Sequence, residues 1–183
     1  GLRSVVLVGA PNAGKTSLFN LLTGSRHETV NYPGATVDFA AGPLRGRVDV
    51  RVIDTPGIVS LVPRTDDERV AVSALESVDG MGAGTQGAPD VIVVTVDATQ
   101  PARHLVLVRQ LLRQGAKPVI ALTMNDLAGR KNRALSPAWL AETLGIPVIA
   151  VNGRKKTGLP ELLKALEFAL TRGNNPRLSI PTS

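Results

Sequence analysis

Cysteine is absent from all 183 residues, which excludes disulfides, thiolate metal sites and cysteine nucleophiles and agrees with a reducing compartment. Aromatic residues make up only 3% of the chain. A core with so few rings must be aliphatic, which suits the Val- and Ile-rich strands of a parallel sheet covered on both faces. Histidine is nearly missing too. His27 and His104 each lack a second ligand nearby in sequence, so both read as ordinary surface residues and not as metal ligands. No apolar run approaches the roughly 20 residues of a membrane-spanning helix; the longest, such as 91–96, has the length of a strand. The first four residues, GLRS, lead straight into a strand, so a signal peptide is not expected and the sequence reads as soluble.

Acidic residues are the scarcer charge, 15 against 21 Lys and Arg, a net charge of +6. A basic balance suits nucleic acid or an anionic membrane as partner. Here the cations are spread along the chain apart from a short cluster at Arg154, Lys155 and Lys156. The interleaved aromatics of single-strand binders are lacking. Solvated faces are the simpler reading, and nucleic acid is not expected as a partner.

What the sequence does hold is an alternation of apolar runs and helical patterns, the signature of βα units. Strands are expected at 4–8, 48–53, 91–96, 118–123 and 147–151, with a weaker edge strand at 37–44. Helices are expected at 15–22, closed by Gly24, and at 66–77, opened by a capping box from Thr65 to Glu68. Asp66, Asp67 and Glu68 thus read as a helix start and not as a metal cluster. Further helices are expected at 102–114, between Ser136-Pro137 and Gly145 with Trp139 as a packing residue, and at 160–171 ending at Gly173. The result is an α/β fold: a mostly parallel six-stranded sheet with one antiparallel edge strand, flanked by about five helices. Residues 79–89 (DGMGAGTQGAP) read as a flexible surface connector, and 174–183 as an irregular tail after one domain at 1–173.

Gly9-Ala10-Pro11-Asn12-Ala13-Gly14-Lys15-Thr16 matches G-x-x-x-x-G-K-[ST] directly after a strand and before a helix. In that context, backbone N–H groups from Asn12 to Ser17 can surround a β-phosphate, aided by the helix N-terminus. Lys15 bridges β- and γ-phosphates and Thr16 offers a hydroxyl to Mg2+. Asp54-Thr55-Pro56-Gly57 follows an apolar run, which sets Asp54 at a strand end to hold the ion and lets the Gly57 N–H reach the γ-phosphate. Between them, Asn31-Tyr32-Pro33-Gly34-Ala35-Thr36 is a polar loop. Thr36 is placed to close on Mg2+, with Pro33, Gly34 and Ala35 bordering the nucleotide.

The base is read from Thr123-Met124-Asn125-Asp126. A carboxylate accepting from N1–H and N2–H2 selects guanine, and Asp126 is the candidate. Met124 can lay its apolar stem on the ring. Thr123 stands where guanine sites carry Asn, so a weaker nucleotide affinity is expected. Asn152-Gly153, followed by Arg154, occupies the loop that backs the base. The Gly153 N–H can donate to O6, and the glycine is expected to loosen that loop and speed GDP release.

GAPNAGKTSLFNLLTG (9–24), NYPGATVD (31–38) and DTPGIVSLVPRTDDERVA (54–71) together resemble the G domain of the ferrous iron transport protein B family. PDVIVVTVDAT (89–99) and IPVIAV (146–151) are similar as well, so the likeness runs from about 2 to 171. The resemblance implies a Ras-like P-loop GTPase fold and a GTP-hydrolysing domain, with GTP or GDP and Mg2+ bound. It implies a place on the cytoplasmic face of the bacterial inner membrane, with the transporter's own helical and transmembrane domains as partners; those domains are not found beyond Gly173. It leaves a homo-oligomer open. It also implies activation by K+ held by Asn12, in place of an arginine finger. The departures are Thr55 where Leu is usual, Thr123 for Asn, Asn152-Gly153 for Ser-Ala, and the 79–89 segment, which looks inserted.

Ile58 stands where many GTPases carry a water-orienting Gln. An apolar side chain cannot polarise water, so catalysis falls to Lys15, Asn12, Thr36 and the Gly57 backbone with the two cations. An arginine finger is worth about 10³–10⁵ in rate. Arg64 is the nearest candidate and reads as solvated. Two other functions stay open: a ribosome- or tRNA-associated GTPase, and a nucleotide-binding module with negligible turnover.

Overall fold

The computed structural model describes residues 1–32, 34–81, 84–172, 178 and 180. The chain runs β1 (Arg3–Gly9), α1 (Lys15–Thr23), β2 (Glu28–Asn31), β3 (Asp38–Leu44), β4 (Arg47–Asp54), α2 (Asp66–Glu76) and β5 (Val91–Asp97). It continues with α3 (Pro101–Arg113), β6 (Val119–Thr123), α4 (Asn125–Arg130), α5 (Pro137–Leu144), β7 (Val148–Ala150) and α6 (Leu159–Arg172).

The described strands form one sheet in the order β2-β3-β4-β1-β5-β6-β7. β3 lies antiparallel to both β2 and β4, and the remaining pairs are parallel. The expected class therefore stands, with a seventh strand and a sixth helix added. β2 escaped the sequence reading because its ETVN is mostly exposed and has no apolar alternation. Helix α4 has six residues, one of them Gly129, too few for a helical period.

Alternation along the strands divides the core in two. Val6, Val8, Ile53, Ile92 and Val94 face α2, α3 and α5. Val5, Leu7, Val52 and Val93 face α1 and α6, where Phe19 and Leu166 are fully covered. Every residue of β5 is buried, the pattern of a central parallel strand. Since β1 is flanked by β4 on one side and β5 on the other, the chain reverses its direction of winding there. The crevice beyond the carboxyl ends of such strands is where open α/β sheets bind ligands.

Three expectations give way. His104 is not a surface residue but 6% exposed, on the sheet side of α3. Trp139 is not a packing residue. It is 61% exposed, while its neighbour Leu140 takes the core position. The Ser136 hydroxyl accepts from the Trp139 N–H, which fixes that register. The 79–89 segment is no loose connector among its described residues. Met81 and Thr85 are buried, Val78 N–H donates to Gly87 O at 2.8 Å, and Thr85 bridges Leu2. In the tail, Leu178 and Ile180 are buried in the core; Gly173 lies outside the described residues. The helix-start reading of Asp66, Asp67 and Glu68 agrees with the structure, where Thr65 Oγ1 accepts from the Glu68 N–H at 3.1 Å.

Candidate nucleotide-binding site

The site begins where β1 stops. Gly9 comes so close to β5 that a Cβ there would sit 2.0 Å from Thr95 Oγ1, so no side chain fits. The chain then turns through Asn12 (φ 64°) and Gly14 (φ 79°), both left-handed, and enters α1. Left-handed residues in such a turn swing successive N–H groups towards one concave side. No side chain caps α1. Its first N–H groups and its dipole are therefore left for an anion.

Strand β4 delivers the opposite wall. Asp54 is its last residue, level with Leu7 of β1. The Lys15 ammonium donates to the Asp54 carboxylate and to the Thr55 carbonyl, and both charged side chains are largely buried. The candidate phosphate lysine and the candidate metal-binding aspartate thus stand side by side. Thr55, which departs from the family pattern, donates its hydroxyl to Leu7 O at 2.7 Å and so extends the β4–β1 seam past Asp54. Gly57 follows, pressed on the phosphate loop: a Cβ there would lie 2.6 Å from Pro11 Cγ. Ile58 is 1% exposed and its N–H donates to Gly9 O, so its side chain points into the core and away from any water at the phosphates.

Thr16, Ser17 and Thr36 are exposed. The 32–37 loop is closed by Tyr32 N–H to Val37 O (2.9 Å) and Ala35 N–H to Tyr32 O (3.2 Å). Among the described residues no hydrogen bond ties Thr36 to the phosphate loop. Gly34 and Ala35 belong to this turn, whereas Pro33 lies outside the described residues. Among the described residues no three His, Asp or Glu gather into a cage for a metal. A Mg2+ held by one carboxylate, hydroxyls and substrate phosphates needs none, and Asp54 with Thr16 fits that pattern.

The base end is an open cleft of about 370 Å³ whose lining includes Gly14, Ser17, Met124, Asp126, Gly153 and Arg154. Met124 is left-handed (φ 59°) and 39% exposed on its wall. Asp126 lies in the first turn of α4, with Lys155 Nζ 3.8 Å from its carboxylate. Thr123 is buried, and its hydroxyl donates to Ala13 O at 2.8 Å. The link between base loop and phosphate loop therefore exists despite the missing Asn. The backing loop that carries Gly153 is also held by local bonds. Asn152 Oδ1 accepts from the N–H groups of Arg154 and Lys155, both at 3.1 Å, and Asn152 pairs with Thr157 through the backbone. Gly153 lies against α1, where a Cβ would be 2.8 Å from Ser17 Cβ.

Sequence reasoning passed over Asn125. Its amide donates to Leu135 O at 3.0 Å and its carbonyl accepts from Leu135 N–H at 2.9 Å, so it props the turn behind Asp126. Lys155 and Arg130 of the cleft were also missed. Asp97 was missed as well: its Oδ1 accepts from the Thr99 N–H and hydroxyl, and its own N–H donates to His104 Nδ1. The D-x-T spacing of Asp97 and Thr99 was the available signal, a local carboxylate turn.

A phosphate cradle, a strand ending on a carboxylate and an open cleft beyond the strands' carboxyl ends define a P-loop G domain. The family model described as ferrous iron transport protein B matches residues 3–166. The Fe(2+) transporter FeoB of Legionella pneumophila is 34% identical over 166 residues, 88% of this chain and 21% of that protein. The Fe(2+) transporter FeoB of Escherichia coli K12 is 34% identical over 169 residues, 90% of this chain and 21% of that protein. Among solved structures, a GDP-bound mutant of S. thermophilus NFeoB superposes with a TM-score of 0.81 at 33% identity, covering 99% of this chain and 66% of that one. The G domain of the T. maritima FeoB iron transporter gives 0.77 at 32% identity, covering 92% and 99%. The chain belongs to the ferrous iron transport protein B family, and it spans about a fifth of the length of these curated relatives.

Proposed function

We propose that residues 1–173 form the GTP-binding, GTP-hydrolysing regulatory domain of a ferrous iron transporter, at the cytoplasmic face of the bacterial inner membrane. The observation that carries this reading is the pairing of Lys15 with Asp54 under a phosphate loop whose tie to the base loop is intact. Support comes from relatives: S. thermophilus NFeoB has been crystallised with GDP and with GDP.AlF4-. The partners would be the helical and transmembrane domains of the full-length transporter. Among the described residues of this chain no helix is long and apolar enough to cross a membrane.

In the reaction a water oxygen attacks the γ-phosphorus, the bond to the β–γ bridging oxygen breaks, GDP leaves, and the water's protons pass to phosphate and solvent. The N–H groups from Asn12 to Ser17 grip the β-phosphate, and Lys15 moves from Asp54 to the β- and γ-oxygens as charge builds there. The Gly57 N–H meets a γ-oxygen. Asp54, Thr16 and Thr36 would hold Mg2+, which when bound neutralises charge on the β- and γ-oxygens. Asn12 would hold K+. At the base, Asp126 accepts from the guanine edge, Met124 and Arg154 flank the ring, and the Gly153 N–H faces O6.

With Ile58 buried, no side chain of that segment orients the water, so hydrolysis is expected to be slow in Na+ and faster in K+. Steady-state phosphate release from GTP with Mg2+, in matched K+ and Na+ buffers, checks this; equal rates would remove K+ and Asn12 from the mechanism. The buried Ile58 also favours a second reading, a nucleotide binder with negligible turnover, which predicts no phosphate release in either salt.

A further inference from the structure

Thr123 makes more contacts than a strand's last residue requires. It is 6% exposed at the end of β6. Its backbone carbonyl accepts from the Ala98 N–H at 2.8 Å. Its hydroxyl donates to Ala13 O at 2.8 Å, with Val96 O at 3.3 Å as a weaker second acceptor. Its methyl lies against the phosphate loop, because a Cβ on Gly14 would be 3.3 Å from Thr123 Cγ2.

The acceptor is the informative part. The Ala13 carbonyl and the Gly14 N–H belong to a single peptide unit, which is planar and trans, so the two groups point in opposite directions. A hydrogen bond that holds the carbonyl towards β6 holds the N–H towards the concave side of the turn, where a phosphate sits. We propose that Thr123 is a positioning residue that aims the Gly14 N–H at the nucleotide's phosphates, so that the base loop sets the phosphate grip through one hydroxyl. The inference rests on the nucleotide-binding reading above. It replaces the expectation that Thr123 only weakens binding for want of the Asn amide. The hydroxyl is one bond from Cβ, and it reaches Ala13 because the two loops lie that close. The contact acts on phosphate binding, and it offers nothing to the base edge, which is left to Asp126.

That division gives the test. Thr123→Val keeps the shape and the methyl and removes the donor; Thr123→Ser keeps the donor. Affinities of wild type and both variants are measured for GDP with Mg2+ by calorimetry and for unphosphorylated guanosine by NMR titration, with melting temperatures alongside. The net worth of one hydrogen bond corresponds to a loss of about three- to tenfold. Thr123→Val is expected to lose that much for GDP, with faster GDP release, and to hold guanosine within about twofold of wild type. Thr123→Ser is expected to restore GDP binding. An unchanged GDP affinity in Thr123→Val, or equal losses for GDP and guanosine, would overturn the proposal, since the second result is what a merely structural role gives. If Thr123→Val melts too low to assay, Thr123→Ala is read by the same ratio of GDP to guanosine affinity. A wild type that binds no GDP sinks the functional reading and this inference together. A wild type that binds GDP beside an unaffected Thr123→Val sinks this inference alone.

Discussion

In the proposed function base choice turns on the carboxylate of Asp126, which lines the cleft with Lys155 Nζ 3.8 Å from it. A carboxylate accepts two hydrogen bonds from guanine at N1–H and N2–H2; a carboxamide accepts one and opposes a donor with a donor. Asp126→Asn should therefore cost GDP about 1.5–3 kcal/mol, the range for a hydrogen bond to a charged group. Xanthosine diphosphate, which carries a carbonyl at C2, should bind the variant more tightly than GDP does. Calorimetric titration with both nucleotides checks this, and undiminished GDP affinity would mean that Asp126 does not read the base. The residues proposed to meet ligand directly, such as Lys15, Asp54 and Asp126, could be singled out in the sequence because their chemistry ties them to fixed spacings. Asn125 and Asn152 were not. Their side chains bond to local backbone, and such contacts leave no periodic mark; they depend on where the chain has already turned.

Helix α3 shows how an element can hide a polar contact within a helical pattern. His104 sits in its first turn, and Nδ1 accepts the Asp97 N–H at 3.0 Å, joining the helix to the end of β5. Burial lowers the His104 pKa, Asp97 nearby opposes that shift, and Arg103 adds to it. The folded protein thus binds fewer protons here than the unfolded chain does. The stability from neutral His104 is full above the unfolded value of about 6.5 and is lost as pH falls below it towards the lowered folded value. Protonation of Nδ1 also removes the acceptor for Asp97. The melting temperature should fall between pH 7.5 and 5.5, and His104→Asn, whose Oδ1 can accept in place of Nδ1, should flatten that fall. An equal fall in both proteins would place the effect elsewhere. Central elements were legible: β5 is buried throughout, and α2 opens on its cap as expected. The misses cluster at the periphery. Strand β2 pairs through its backbone at the sheet edge, and Val78 and Met81 are buried by tertiary packing although their neighbours read as a connector.

At the scale of the whole molecule, one sheet sets everything the proposed activity needs. β1 lies between β4 and β5. Its end carries the phosphate loop, the end of β4 carries Asp54, and the end of β6 carries Thr123 and leads to Asp126. Three recognition tasks are thereby placed on rigid strand ends beside one helix, and the apolar clusters on the two faces fix their spacing. The alternation of strands and helices made that plan readable in advance, because a doubly wound sheet has few alternatives. Closure of Thr36 on Mg2+ stays part of the proposal, since among the described residues Thr36 forms no hydrogen bond to the phosphate loop. The most direct test of the account is competition for the site by purified protein in millimolar Mg2+. Bound fluorescent GDP should be displaced by GTP and GDP but not by ATP at the same concentrations. No binding of the labelled nucleotide, or displacement by ATP as effective as by GTP, would contradict it.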